Sequence, residues 1–464
     1  MNDAPIRPNS IEARDIATVL HPYTNLKLHE SEGPLVMTRG EGVHVYDHEG
    51  KEYIEGLAGL WCTALGFGEE RLVEAAAAEM RKLPFYHHFT HKSHDVGIEL
   101  AERLLAMAPV AMSKVFFANS GSEANDTAAK LVWYLSNAVG KRERKKIISR
   151  QKAYHGVTVA SASLTGLPKN HEDFDLPIAG ILHTVCPHHY RFAEAGESEE
   201  AFATRCADSL RTMIEDEGPE TVAAFIAEPV MGAGGVIVPP KTYFQKIQAV
   251  LEEYEILFIV DEVITGFGRT GNMWGSQTYE LRPDIMTMAK ALTSAYLPMS
   301  AVMVSDPVYR TLVSESEKVG VFAHGFTYSG HPVPSAVALE TLKIYEERDI
   351  VAQVRRVMGG FQARLKAFER EDFVGEARGV GLVGAIELVK DKSSKASFAP
   401  PGKVGAQCAK FAQERGLITR AIGDSLAFSP PLVITGAEID EMFDRFAAAL
   451  QDTRDWIARE GLAA

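Results

Sequence analysis

Cysteine is scarce in this chain of 464 residues: Cys62, Cys186, Cys206 and Cys408 are scattered and form no CxxC pair. That excludes a disulfide framework and a cysteine-based zinc site, and it fits free thiols in a reducing compartment. Positive charge is also in deficit. The 48 Lys and Arg face 62 Asp and Glu, a formal net charge of −14, which argues against nucleic acid or an anionic membrane surface as the main partner. No apolar run approaches the length of a bilayer span. The opening residues, MNDAPIRPNSIEARD, lack the apolar core of a secretion signal, so a cytoplasmic location is expected. Internal repeats and low-complexity tracts are missing too. What remains, 46% hydrophobic and 24% charged, is an ordinary globular composition, and the length suits a large domain plus a smaller one.

The most informative stretch present is Ile256–Thr270, ILFIVDEVITGFGRT. Ile256 to Val260 form an apolar, β-branched-rich run that reads as a strand buried on both faces. Asp261 and Glu262 follow directly, then a Gly-containing turn. A second apolar run, Ile285–Ala289, ends in Lys290. An acid for the ring nitrogen and a lysine for the aldehyde are what pyridoxal phosphate requires of a protein. Singly, either residue is as well explained as a helix cap or a solvated group, so the case rests on the other strand ends.

Residues 1–20 read as an N-terminal arm, and His21–Asn25 as a turn that could fold over a pocket. Leu35–Ile54 alternates, with glycine turns, and predicts a small antiparallel sheet. In Gly56–Gly68, Trp61 reads as either a packed loop residue or a pocket wall. Glu70–Leu83 predicts a helix. His87, His88, His91 and His94 follow among aromatics; lacking Cys and HExxH they read as a loop at a pocket or subunit contact rather than a metal centre. Val115–Ala118 predicts a strand, then Ser120, Gly121 and Ser122 open a helix to about Asn137, the arrangement that offers a phosphate N–H groups at a positive helix end. The basic run Lys141–Lys146 is expected to face solvent. The strand beginning Ile147–Ser149 leads to Tyr154 and His155, and the aromatic could stack on a flat ring. Ala223–Ala227 ends in Glu228, before the glycine loop around Ala233. Ala301–Val304 predicts another strand, Phe322–Pro332 a loop, Pro334–Leu365 long helices, and Gly381–Leu388 with Leu417–Arg420 a second small sheet.

Strands alternating with helices indicate a largely parallel sheet, whose ligands sit beyond the carboxyl ends of the strands. That rule collects Ser120–Ser122, Tyr154, Glu228, Asp261 and Lys290 into one site.

SGSEANDTA (Ser120–Ala128), AYHG (Ala153–Gly156), AEPVMGAGGV (Ala227–Val236), DEVITGFGRTG (Asp261–Gly271), AKAL around Lys290 and HGFTYSGHP (His324–Pro332) resemble the class III, PLP-dependent aminotransferases. The resemblance extends from about His21 to the C-terminus. It implies PLP fold type I: an α/β large domain with a mostly parallel seven-stranded sheet flanked by helices, and a small α+β domain from the N- and C-terminal segments. The implied division is 1–70, 71–335 and 336–464. Through GLWC, GFTYSGHP and ITRAIGDSLAFSPPL the chain looks most like the ω-amino acid:pyruvate and amine:pyruvate transaminases.

Carried over residue by residue, the resemblance makes Lys290 the Schiff-base lysine and Asp261 the partner of the pyridine nitrogen. Tyr154 stacks on one ring face and Val263 packs on the other. Ser120, Gly121, Ser122, His155 and Glu228 complete the cofactor set, with Thr327 reaching the phosphate in the neighbouring subunit of a homodimer, or of a tetramer of two such dimers. Tyr23, Trp61, Phe85, Phe89, Tyr154 and Ala233 line the substrate pocket, and Arg420 resembles the movable arginine that binds a carboxylate. The implied reaction passes nitrogen from a primary amine or ω-amino acid to pyruvate, ping-pong, through an internal aldimine and pyridoxamine phosphate. A β-alanine, taurine or GABA type of ω-amino acid:pyruvate aminotransferase is the alternative, or another fold type I enzyme such as an aminomutase. An NTPase using Asp261-Glu262 on a metal would need a GxxxxGK loop ending in Ser or Thr, which the chain lacks.

Overall fold

Seven strands share one sheet in the order Lys114–Ala118, Ser300–Val304, Ile285–Met288, Leu257–Asp261, Val222–Ala227, Lys146–Arg150, Ile181–Thr184. The computed structural model describes residues 6–462, so residues 1–5 of the expected N-terminal arm lie outside the described residues. From Ile285–Met288 to Ile181–Thr184 the neighbours run parallel. Ser300–Val304 pairs antiparallel with both of its neighbours, so the sheet is mostly parallel, as the alternating pattern predicts.

The apolar runs are buried on both faces because successive side chains point to opposite sides. Phe225, Ala227, Phe258 and Val260 face the helices Glu199–Glu217 and Tyr243–Glu253, where they meet Phe202, Leu210 and Phe244. Ala224, Ile226 and Ile259 face the other way, onto Ala124, Ala128 and Val132 of the helix Gly121–Ala138. Both layers are closed to water, so polar residues surface only where the strands end.

The expected N-terminal sheet is Met37–Glu41, His44–Asp47 and Glu52–Glu55, antiparallel. Its fourth strand, Leu417–Ile418, arrives from the far end of the chain and runs parallel to Glu52–Glu55. The expected strand over Leu417–Arg420 is thus divided. Arg420–Ile422 turns away into another sheet, Val374–Val380, Val383–Leu388, Ser425–Phe428 and Arg420–Ile422, all antiparallel. The helical stretch after Pro334 is two helices, Pro332–Glu347 and Ile350–Ala367, broken at Asp349, whose φ of 46° ends one and whose side chain caps the next.

The basic run does not simply face solvent. Arg144 donates to the carbonyls of Val222, Tyr254 and Glu255, and Lys145 to the Trp133 carbonyl and Asn137. Burial lowers both pKa values. A run of like charges reads as solvated until the tertiary structure brings carbonyls to it. The fold contains no helix long and apolar enough to cross a membrane among the described residues.

Candidate active site

A cavity of about 140 Å³ opens beyond the carboxyl ends of the parallel strands, lined by Gly121, Ser122, Asn125, Tyr154, His155, Gly156, Glu228, Asp261, Val263, Ile264, Ala289 and Lys290. Asp261 is the last residue of its strand and is buried. Its Oδ2 lies 2.8 Å from His155 Nδ1 and accepts from Asn125 Nδ2 at 2.8 Å, while Oδ1 accepts the Val263 amide at 3.0 Å. A carboxylate can only accept, so the imidazole nitrogen facing it carries the proton. Asn125 is fastened in turn: its Nδ2 also donates to the His155 carbonyl at 2.7 Å, and its Oδ1 accepts from Thr287 Oγ1 at 2.8 Å. Asn125 and Thr287 are the residues that sequence reasoning missed. A signal existed for the first, since Asn125 stands four residues after Gly121 on a helix and so shares its face. Thr287, mid-strand, offered none.

Glu262, the other half of the acidic pair, points away. It accepts from Thr265 Oγ1, the Gly275 and Ser276 amides and Ser276 Oγ at 2.5–3.0 Å, and so folds the 263–276 segment instead of facing a ligand. Glu228 lies on the cavity, with its oxygens accepting the amides of Tyr154 at 3.0 Å and Gly232 at 3.1 Å. It ties two strand-end loops together, and burial raises its pKa. Behind it, Arg150 is fully buried and donates to the Glu228 carbonyl at 2.6 Å.

Lys290 follows the next strand and begins a short 3-10 turn. Its φ is 49°, left-handed for a residue with a side chain. Burial pushes its amine below the ordinary lysine value; the charge of Arg420 acts in the same direction, and Cys62, Asp261 and Glu228 act against it. Backbone strain of this kind costs on the order of 1–3 kcal/mol and persists where the surroundings impose it, commonly at functional sites.

The wall opposite is a helix end. Ser120 is the cap of Gly121–Ala138, its Oγ accepting the Glu123 amide at 3.1 Å, so its hydroxyl serves the helix rather than the cavity. Gly121 has no room to spare, because a Cβ there would stand 3.2 Å from Val263. Ser122 Oγ accepts the Val157 amide at 3.1 Å, which leaves its proton to donate. Gly156, with φ 132°, packs so closely that a Cβ would lie 2.4 Å from Ser122 Oγ.

The remaining expected residues divide. Tyr154 lines the cavity, and burial, with the nearby Tyr23 hydroxyl adding to it, raises its pKa. Tyr23 itself is exposed and accepts from Asn170 Nδ2 at 2.5 Å. Arg420 is partly buried and close enough for its charge to act on Lys290 and Tyr154. Trp61 is not on the wall: with φ 65°, it packs at 3% exposure beside Leu57, Val230, Val236 and the cavity residue Ile264. Its indole nitrogen is buried without a partner among the described residues. Ala233 sits in the loop after Glu228, off the cavity wall. Phe85 and Phe89 lie elsewhere on the surface. Phe85 packs against Tyr328 at 5.8 Å and His331 at 5.6 Å, and Phe89 lies over Gly325, so both join the exposed loop that carries Thr327. In the histidine group, His94 caps the helix Asp95–Met107 through Nδ1 and meets the Gly330 carbonyl through Nε2 at 2.6 Å. Both of its ring nitrogens are engaged, and Nε2 also lies 3.0 Å from His88 Nε2.

Comparison with known proteins bears on this site. The family described as Aminotransferase class-III matches residues 27–450. The chain is similar to gamma-aminobutyrate transaminase 1, mitochondrial, of Oryza sativa subsp. japonica, 54% identical over 92% of this chain and 83% of that protein. Gamma aminobutyrate transaminase 1, mitochondrial, of Solanum lycopersicum is 53% identical over 94% and 85%. Among solved structures, the ω-transaminase from Pseudomonas jessenii in complex with PMP superposes with a TM-score of 0.96 at 56% identity, covering 97% of this chain and 99% of that one.

Proposed function

The chain belongs to the class-III aminotransferases, enzymes that work with pyridoxal phosphate, and from that premise we propose that it moves the amino group of a primary amine or ω-amino acid to pyruvate in two half-reactions at this one cavity. The observation that carries the reading is that Lys290 and Asp261, from the ends of adjacent strands, line one cavity together with a glycine- and serine-built helix N-terminus. The cavity suits the cofactor: glycine at 121 and 156 lets the helix end pack against Val263 and the 153–157 loop where a Cβ would crowd them, and the helix end offers N–H groups and the Ser122 hydroxyl to a phosphate.

When bound, the cofactor supplies an aldehyde with which an amine condenses and a protonatable ring that draws electrons from the substrate carbon. Asp261, held rigid by His155 and Asn125, presents a fixed anion that keeps a proton on a ring nitrogen. Tyr154 and Val263 bound the cavity on two sides for a flat ring. Lys290 acts as nucleophile and afterwards as proton carrier; its lowered pKa increases the neutral fraction that both tasks need. Arg420, a cation at the cavity margin, receives the carboxylate of the acceptor.

An ω-amino acid donor of the GABA class is a second reading, favoured by the names of the plant relatives. The same arginine would then serve the donor's carboxylate.

Lys290→Ala is the direct test. The protein should still bind the cofactor, though more weakly, and turnover should fall by at least the hundred- to ten-thousandfold typical of removing a general acid–base. Unchanged turnover would overturn the reading. In the unmodified enzyme, a visible cofactor band that bleaches with a carboxylate-free aryl-alkyl amine and returns with pyruvate marks an amine transaminase. Bleaching only with GABA, β-alanine or taurine moves the donor to ω-amino acids.

The active unit in this reading is a homodimer. Support comes from Phe85, Phe89 and Tyr328, which are 38–59% exposed on adjoining loops, and from Thr327, which lies off its own cavity. The division at about residues 70 and 335 is supported by the strand Leu417–Ile418 joining the N-terminal sheet. Four free cysteines are compatible with a cytoplasmic setting.

A further inference from the structure

Two clusters among the described residues bring three metal-ligating side chains together. In one, His188 with Glu376 and Glu387, the carboxylates are already engaged: Arg378 lies 2.7 Å from Glu376 and 2.6 Å from Glu387, and Arg191 also pairs with Glu387. In the other, no Lys or Arg pairs with the carboxylate among the described residues. Asp15 comes from the helix Ile11–Thr18, His29 from the helix Leu26–Glu32, and His21 from the turn between them. Asp15 Oδ1 lies 2.7 Å from His21 Nε2 and 3.1 Å from His29 Nε2, with the two imidazole centroids 4.1 Å apart. All three are partly accessible.

We propose that Asp15, His21 and His29 bind one divalent transition cation of the zinc class, with water completing the coordination. Two imidazole nitrogens and a carboxylate oxygen are the donors that Zn²⁺ and Co²⁺ take, whereas Mg²⁺ and Ca²⁺ require oxygen shells. Bonds of about 2.0–2.1 Å in a tetrahedron separate the ligand atoms by roughly 3.3 Å. Each imidazole nitrogen therefore needs to stand only roughly 0.2–0.6 Å farther from the Asp15 oxygen to reach that spacing. The ion would add what this segment lacks: the two helices have 8 and 7 residues and contribute no buried side chain, lengths at which helices do not hold by themselves. Metal binding energy there becomes folding energy of the arm. Tyr23 sits in the same turn, accepts from Asn170 and stands near enough to the cavity residue Tyr154 to interact with it, so the ion would hold this turn over the cavity. The inference is independent of which amine the enzyme accepts.

The test uses the untagged full-length holoenzyme, stripped with chelator and titrated with Zn²⁺ by calorimetry and with Co²⁺ by visible spectroscopy. One ion per chain is expected, with the visible bands of four-coordinate Co²⁺. Loss of a ligand in His29→Ala or Asp15→Asn should weaken binding at least about tenfold. Zn²⁺ should also slow tryptic cleavage after Arg14 in the parent chain and leave it unchanged in the variants. Melting curves of both variants establish that they fold, and either suffices. Absence of stoichiometric binding, or equal affinity in the parent and both variants, would overturn the proposal and leave the cluster a hydrogen-bonded clasp.

Discussion

Arg420 is a guanidinium at the cavity margin with no carboxylate paired to it among the described residues. A charge-assisted hydrogen bond to a ligand carboxylate is worth about 1.5–3 kcal/mol. Arg420→Ala should therefore raise the KM for pyruvate roughly ten- to a hundredfold, while that for an aryl-alkyl amine changes little. Steady-state kinetics with both substrates check this, and equal losses would argue against the carboxylate role. Glu55 makes a different kind of residue-scale prediction. Buried at the end of Glu52–Glu55, with its Oε1 accepting the Leu57 amide at 3.0 Å, it has a pKa raised by burial to about 7 from an ordinary 4.5. Between those values the folded chain holds a proton that the unfolded chain has released, so stability falls as pH rises from 4.5 to 7 and stays lower above. Glu55→Gln keeps the acceptor and buries no charge. It should be more stable than the parent at pH 8 by up to roughly 3 kcal/mol, and by little at pH 4.5. Thermal unfolding at the two pH values decides it.

At the scale of elements, the side of the cavity proposed to hold the phosphate depends on how closely the loop after Lys146–Arg150 approaches the helix Gly121–Ala138. Gly156 sits at that contact with φ 132°, and a Cβ would fall 2.4 Å from Ser122 Oγ and 2.8 Å from Ser122 Cα. Gly156→Ala must therefore shift the helix end or strain the loop, a cost on the order of 1–3 kcal/mol. Cofactor affinity should drop about five- to a hundredfold, read by titrating the cofactor-free protein spectroscopically; unchanged affinity would remove this contact from the phosphate site. The central strands were legible because each is a short apolar run bounded by turns. The antiparallel direction of Ser300–Val304 was not, since strand direction leaves no local pattern. Nor was the division of Leu417–Arg420 between two sheets, which depends on partners more than 350 residues away for Leu417 and only seven away for Arg420.

At the scale of the whole molecule, the segments around Phe85–Phe89 and Val321–Tyr328 leave large apolar groups in water, Val321 at 60% and Tyr328 at 59% exposure. Such a patch is characteristic of an interface. For a chain that pairs through this surface, as proposed, Tyr328→Asp should weaken the pairing, with sedimentation showing monomer at concentrations where the parent is associated and activity falling in parallel. A variant that stays dimeric and active would separate this surface from assembly. The residues proposed for the chemistry, Asp261, Lys290, Glu228, Tyr154 and the Gly121–Ser122 turn, could be singled out from the sequence alone, because a polar group ending an apolar run is a local signal and the sheet's topology brings these ends to one crevice. Only the tertiary structure decided what holds them. Asn125 reaches Asp261 across 136 residues of chain and Thr287 reaches Asn125 across 162, Glu262 turns inward while its neighbour turns to the cavity, and Trp61 packs behind the wall. Hydrogen bonds and van der Waals contacts act over a few ångströms in space, and no spacing along the chain encodes which distant groups come within that reach.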